Sequence, residues 1–157
     1  MYELRVNDRI YKVKFGYGVL YKSDLIDRVL TASNADAEKP ADALKNLIGL
    51  TAELLLAGLQ KRHRDEFGYE TDSEREAMIL KVCDLIDDYE DEHTDQDGNR
   101  DKDGFSLFNE LQGELEKNGF LSMITAGAQT MMVEQDATVV PMDHQKRRGR
   151  KPAGESK

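Results

Sequence analysis

The longest apolar block of the sequence, residues 41–60, constrains the fold more than any other stretch. Its apolar residues recur at the three- and four-residue spacing of a helix. The stripe is formed by Leu44, Leu47, Ile48, Thr51, Leu55 and Leu59. A helix that is apolar on more than one side needs cover on two flanks. Polar and charged residues interrupt the block, so it is too short to span a bilayer. It therefore predicts the central helix of a small core.

The second flank of this helix is formed by Leu50, Leu54 and Ala57. A chain of 157 residues has limited material with which to cover both flanks. If the second flank stays partly open, it forms a groove that accepts a helix of a partner protein. Leu50 and Leu54 are therefore candidate partner-binding residues.

Charge is unevenly distributed along the chain, whose net charge is −9. Residues 65–103 contain sixteen acidic and four basic side chains, whereas residues 126–157 contain four acidic and six basic ones. An acidic body disfavours general binding of nucleic acid or lipid headgroups. The single cysteine, Cys83, excludes an intramolecular disulfide and suits a reducing cytoplasm. The first residues show no basic segment followed by an apolar run, so we expect no secretory signal.

Local patterns predict the elements that precede the central helix. Apolar and polar residues alternate on both sides of Asn7-Asp8, two residue types that tolerate the positive φ angles of a tight turn. We therefore expect a β-hairpin whose apolar face lies on the helices, because a lone hairpin is only marginally stable. Residues 19–30 have the spacing of an amphipathic helix.

Two further helices are predicted after the central one. Ser73 and Glu76 have the spacing of a capping box, and the helix that follows ends near Glu92. Residues 106–117 have a second amphipathic pattern, and Asn118-Gly119 provides a stop signal.

The predicted fold class is mainly α (α+β), with a small N-terminal β-hairpin packed on a bundle of four to five helices. A single domain over residues 1–125 includes a short docking helix at residues 120–124. Residues 126–157 form a separate tail of small and polar residues with a basic end. We expect this tail to be disordered.

The segment from the hairpin into the first helix contains a recognisable motif. The pattern Tyr11-x-Val-x-Phe15-Gly16 ends the second strand, and Tyr17-Gly18-x-Leu20-Tyr21 opens a helix. Over roughly the first 30 residues this pattern resembles the small tail assembly chaperones of long-tailed (siphovirus-type) bacteriophages and of prophages of Gram-positive hosts. The acidic, helical remainder is similar in style only.

The resemblance implies a non-enzymatic late protein that acts in virion morphogenesis in the host cell cytoplasm and is not expected in the mature virion. The implied partner is the tape measure protein, with the major tail tube protein and a second copy of the chain as further candidates. Such families often have a longer form made by ribosomal frameshifting. Partner contact is expected at the hairpin edge, at Tyr17 and Tyr21, and in the tail.

A weaker alternative is a calcium-binding module at residues 99–110, which have most of the spacing of an EF-hand loop. The candidate ligands are Asn99, Asp101, Asp103, Phe105 through its carbonyl, and Glu110. Against this, asparagine replaces the usual first aspartate, and the chain contains no second loop. We prefer a helix connector in which Asp103 or Ser106 caps the next helix, and the favoured prediction is that no cofactor is bound.

A further alternative is an adaptor that contacts DNA through its tail. Arg147, Arg148 and Arg150 lie in a cluster that resembles an AT-hook, whose arginines enter the minor groove of A·T-rich DNA. One copy on an acidic protein would bind weakly and in a salt-sensitive manner. We prefer a solubilising or protein-contacting tail.

The sequence predicts no catalytic site. His63, His93 and His144 have no metal-ligand spacing with Cys83. The thiol lies among apolar helical neighbours, which is typical of a structural cysteine. The many paired carboxylates indicate a solvated helix face, because no apolar pocket that would separate their pKa values is evident.

Overall fold

The structure, a computed structural model, describes residues 1–33 and 39–119. Along the chain these form β1 (Tyr2–Val6), β2 (Arg9–Val13), α1 (Tyr17–Tyr21), α2 (Leu25–Ser33), α3 (Pro40–Leu59), α4 (Arg64–Phe67), α5 (Asp72–Glu92) and α6 (Gly104–Lys117). Four of these helices exceed two turns, whereas α1 and α4 are much shorter. The predicted fold class, mainly helical with an N-terminal antiparallel hairpin, is confirmed. The predicted helix at residues 120–124 and the tail lie outside the described residues.

The hairpin turn forms where the sequence predicts it. Asn7 and Asp8 have φ angles of 51° and 59°, which are the positive values that a two-residue turn between twisted strands requires. The strands pair in antiparallel register, with Leu4 opposite Tyr11. The turn is also anchored to α5, since the Asn7 side-chain amide donates to an Asp88 carboxylate oxygen at 2.8 Å and its backbone N–H donates to Glu92. The hairpin is therefore attached to the helical body at its tip.

Helix α3 is the centre of the fold, as the sequence predicts. It packs against β2, α2, α4, α5 and α6, and Pro40 occupies its first turn, where a missing N–H costs nothing. Its buried residues all lie in its second half, from Leu50 to Leu59. Gly58 lets β2 approach closely, because a Cβ at this position would lie 2.3 Å from Val13 Cγ1. The Gly58 carbonyl accepts a hydrogen bond from the Lys14 N–H at 2.9 Å. The core therefore forms around the C-terminal half of α3.

One predicted helix is interrupted. Residues 19–30 do not form a continuous helix, because α1 ends at Tyr21 and α2 begins at Leu25. Ser23 and Asp24 stand immediately before α2, and these residue types favour the positions that precede a helix rather than its interior. The break lets α1 and α2 take separate positions against the core.

The capping box of α5 lies two residues earlier than predicted. Thr71, not Ser73, is the residue that caps the helix. Its hydroxyl accepts from the Glu74 N–H at 3.2 Å, and the Glu74 carboxylate accepts from the Thr71 N–H at 3.1 Å. Thr71 and Glu74 have the same spacing as the predicted pair, so the pattern alone could not choose between them.

Helix α6 has the predicted end signals. Asp103 and Ser106 form a reciprocal capping box at its start. Gly119, just after its end, has a φ of 82°, which glycine adopts without strain. Helix α6 therefore begins directly after the acidic loop that joins it to α5.

Candidate partner-binding surfaces

The two tyrosines of the N-terminal motif lie at the surface. Tyr17 and Tyr21 are 76% and 91% exposed, although both carry large aromatic rings. They lie four residues apart on α1 and therefore occupy the same face of the helix. Exposed tyrosine is a common component of protein interfaces, because it adds apolar area at a low cost in side-chain entropy. This pair is the tyrosine surface.

The predicted groove on the second flank of α3 is absent. Leu50, Leu54 and Ala57 are 3%, 0% and 4% exposed, so the protein's own elements cover that flank. The expectation that Leu50 and Leu54 form an open surface is therefore wrong for Leu54, and Leu50 reaches only the floor of a different groove. The five elements around α3 supply more cover than its sequence pattern could reveal.

The outer edge of β2 is also less open than predicted. The Lys12 N–H donates to the His63 ring nitrogen Nε2 at 2.9 Å, and the Lys14 N–H is paired with Gly58. The ring of Tyr11 contacts His63 edge-on, with centroids 5.6 Å apart. These bonds occupy two of the donors that strand addition would need. A partner strand therefore finds no continuous row of free N–H groups here.

The structure reveals an apolar groove elsewhere, at the N-terminal half of α3. We call it the α2–α3–α6 groove. Its volume is about 1060 Å³, and its apolar lining consists of Ala32, Pro40, Ala43, Leu44, Leu47, Leu50, Phe105 and Phe108. Leu44 and Phe105 are 59% and 58% exposed. The sequence pattern assigned Leu44 to the core and offered Phe105 only as a carbonyl ligand in the weaker calcium alternative, so this surface was not predicted.

The α2 side of this groove is acidic. Asp24, Asp27 and Arg28 line it. The Arg28 guanidinium forms two hydrogen bonds with the Glu53 carboxylate, at 2.8 and 3.0 Å. Arg28 also forms an ion pair with Asp24, at 3.7 Å. With two aspartates and one arginine in its lining, this rim carries one net negative charge.

Glu53 joins three helices. Besides Arg28 of α2, it accepts a hydrogen bond from Arg75 of α5 at 2.8 Å. Burial alone would raise the pKa of Glu53, but the hydrogen bonds and positive charges of both arginines outweigh burial and lower it. The carboxylate therefore stays ionised at neutral pH and links α2 and α5 across α3.

The calcium candidates do not come together as ligands. Helix α6 begins at Gly104, so Phe105 already lies in the helix and its carbonyl takes part in the helical hydrogen-bond pattern. Asp103 accepts the Ser106 N–H at 2.8 Å, and this bond lowers the pKa of Asp103. Glu110 lies on α6 and faces Tyr89 of α5. Burial, and then the charge of Glu110, raise the pKa of Tyr89 to about 12. Within residues 1–33 and 39–119, no group of three His, Cys, Asp or Glu side chains is arranged to hold a metal ion.

The acidic loop is instead organised by two residues that the sequence did not single out. The Asp95 carboxylate accepts the N–H groups of Asp97 and Asn99 at 2.9 and 2.8 Å, and these backbone bonds lower its pKa. Glu90 accepts from the Gly104 N–H and from Arg100, both at 2.6 Å. The sequence Asp-x-Asp-Gly-Asn is itself a turn signal, which could have identified Asp95. The loop therefore connects α5 to α6 and ends in the cap of α6, which is the interpretation preferred from the sequence.

The structure does not test the tail arginines. The described residues do not include Arg147, Arg148 and Arg150, so the AT-hook alternative stays a prediction. Cys83 is half-buried against the core. Burial, and then the nearby Asp87 and Asp84 charges, raise the pKa of its thiol, which disfavours the reactive thiolate.

Comparisons with known proteins were made at three levels. No protein-family model matches the chain, and searches of the curated proteins and of the solved structures find no significant match. Among the described residues, no helix is both long and apolar enough to cross a membrane.

Proposed function

We propose that this protein is a non-enzymatic tail assembly chaperone of a long-tailed bacteriophage or prophage. In this proposal it binds the tape measure protein in the host cytoplasm during tail morphogenesis and is absent from the mature virion. The observation that carries the proposal is the hairpin-to-helix motif of residues 2–21, which resembles that class of chaperone.

Two features of the described residues support this proposal. The motif ends on the tyrosine surface, where Tyr17 and Tyr21 are exposed. The surrounding body is acidic, and this charge helps a chain that displays apolar side chains to stay in solution. A protein that shields an apolar partner needs both properties. Contacts with the major tail tube protein and with a second copy are further parts of the proposal.

Co-expression tests the proposal directly. The chain is produced with the tape measure protein encoded in the same phage genome, and the soluble fraction of the tape measure protein is measured. We expect solubility to rise and the two proteins to co-purify. If solubility is unchanged and nothing co-purifies, the proposal is wrong.

A double variant, Tyr17→Ser with Tyr21→Ser, tests the tyrosine surface within the same assay. We expect recovery of the tape measure protein to fall by about tenfold, as for the loss of aromatic anchors in other interfaces. Leu80→Ser is the matched control, because Leu80 is a similarly exposed apolar residue on α5. Equal effects of the two variants would exclude a specific role for the tyrosines.

A further inference from the structure

The α2–α3–α6 groove exposes apolar side chains that the fold itself does not use. Leu44 on α3 and Phe105 on α6 face the same groove, and more than half of each side chain is exposed. Covering apolar area contributes about 25 cal/mol per Å², so two large exposed side chains provide substantial binding energy to any occupant. The groove also has a built floor, because Leu50 and Phe108 are buried beneath it.

The dimensions of the groove suit a helix. Its walls are three helices, α2, α3 and α6, and its volume is about 1060 Å³. The groove is open to solvent on one side, as the exposed Leu44 and Phe105 show, so it can contact one face of a helix, which is about 10–12 Å across with its side chains. An amphipathic helix that docks in such a groove places apolar residues on it at positions i, i+3 or i+4, and i+7.

The charge around the groove selects among occupants. Asp24 and Asp27 line the α2 side and outnumber Arg28, which is bound to Glu53 and also pairs with Asp24, so the rim has one net negative charge. A second copy of this chain carries a net charge of −9 and would be repelled by that rim. A helix with Lys or Arg on the flank that faces α2 would be attracted.

We propose that the α2–α3–α6 groove binds one amphipathic helix of a partner, with an apolar stripe on α3 and α6 and a basic flank against Asp24 and Asp27. The inference deepens the proposed function and rests on it for the identity of the protein that supplies the helix. It assigns the main apolar contact to Leu44 and Phe105.

The experiment uses the full chain and two synthetic 18-residue helical peptides with the same leucine stripe. One peptide has lysines along one flank, and the other has glutamates at the same positions. We expect the lysine peptide to bind at least about tenfold more tightly, and the difference to shrink in the Asp24→Asn/Asp27→Asn variant and at high salt. Equal binding of both peptides overturns the assigned charge.

Substitutions locate the binding site. Leu44→Asp and Phe105→Asp are each expected to weaken binding of the lysine peptide about tenfold or more, because a charge replaces an apolar contact. Both residues are exposed and lie on different helices, so two independent variants can keep the fold, which circular dichroism checks. Leu80→Asp on α5 is the control and should bind as the wild type does. Unchanged binding in both groove variants overturns the proposal.

The same variants separate this inference from the proposed function. If the wild type solubilises the tape measure protein and Leu44→Asp and Phe105→Asp do so equally well, the groove proposal fails while the chaperone proposal stands. If the wild type fails with the tape measure protein but binds the lysine peptide through Leu44, the chaperone proposal fails instead. Two other results would overturn the inference. If the wild type is a dimer that dissociates in Leu44→Asp, the occupant is a second copy of the chain. If the peptide binds only after removal of residues 120–157, the occupant is that segment of the chain itself.

Discussion

The two halves of α3 are both rich in apolar residues, but one half is largely exposed and the other is buried. The first half, residues 40–49, contains Leu44, Leu47 and Ile48, and the second half, residues 50–59, contains five leucines. Leu44 and Ile48 are more than half exposed, whereas all five leucines of the second half are buried. Apolar spacing therefore identifies which side chains are able to be buried. It does not identify which ones other elements reach.

The difference arises from what packs beside each half. The hairpin approaches the second half through the hydrogen bond between Lys14 and Gly58. The bridges from Glu53 to Arg28 and Arg75 hold α2 and α5 against the same half. The first half shares the α2–α3–α6 groove, where Leu44 faces solvent. The second half therefore stabilises the fold, and the first half is available for binding.

Truncating a leucine in each half gives the largest expected contrast. Leu54→Ala should lower the free energy of unfolding by about 2–5 kcal/mol, because it leaves a cavity in a closed core. Leu44→Ala is the matched control and should change it by less than about 0.5 kcal/mol. Urea unfolding followed by circular dichroism measures both. Similar losses for the two variants would mean that the halves do not differ.

Adding a methyl group to each half sharpens the comparison. A Cβ at Gly58 would lie 2.3 Å from Val13 Cγ1, whereas a Cβ at Gly49 meets no atom within 4 Å. Gly58→Ala should therefore destabilise the protein by about 1–3 kcal/mol through overpacking. Gly49→Ala should stabilise it by about 0.5–1 kcal/mol, because alanine favours the helix.

Thermal unfolding of these glycine variants supplies the measurement. A combined Val13→Ala/Gly58→Ala variant should lose less than the two single variants added together, since the smaller residue removes the clash. Strict additivity would show that the close approach of β2 to α3 is not the cause.

Removing the only charge in the second half, that of Glu53, should have a smaller effect than truncating Leu54. Glu53→Gln should cost about 1–3 kcal/mol at pH 7, since both arginines lose a charged acceptor. The arginines are partly exposed, which places the expected loss toward the lower end.

The pH dependence of this loss has a defined sign. Because the arginines lower the pKa of Glu53 in the folded state, its contribution is complete above the ordinary value of 4.5 and is lost as the pH falls through the lowered value. The difference in unfolding free energy between wild type and Glu53→Gln should therefore narrow below pH 4.5. A difference that stays constant down to pH 2 would show that the carboxylate charge is not responsible.

Much of the fold could be predicted because its signals are local. The turn at Asn7-Asp8, the position of α3, and the stop at Asn118-Gly119 each depend on a few neighbouring residues. Errors occurred where two local signals competed. Thr71 and Ser73 each offer a capping-box spacing, and Ser23-Asp24 interrupts a pattern that is otherwise continuously amphipathic.

The candidate surfaces were predicted less completely, because exposure is a property of the assembled fold. Tyr17 and Tyr21 were expected at a surface that contacts a partner, and both side chains are exposed. Leu54 was placed on an open flank and is fully buried, whereas Leu44 was placed in the core and is exposed. The leucines have the same side chain, so only their distance from α2, α5, α6 and the hairpin separates them.

Residue patterns alone were enough to predict the helical class, the N-terminal hairpin, the central helix and the acidic character of the body. These follow from periodicity, turn residues and charge, which act over a few residues or over the whole composition. Three features could be known only from the packed fold: the second half of α3 is closed, Glu53 joins three helices, and Leu44 and Phe105 share a groove. Those contacts join residues more than 20 positions apart along the chain. They depend on how the elements pack, and a pattern of neighbouring residues carries no information about that packing.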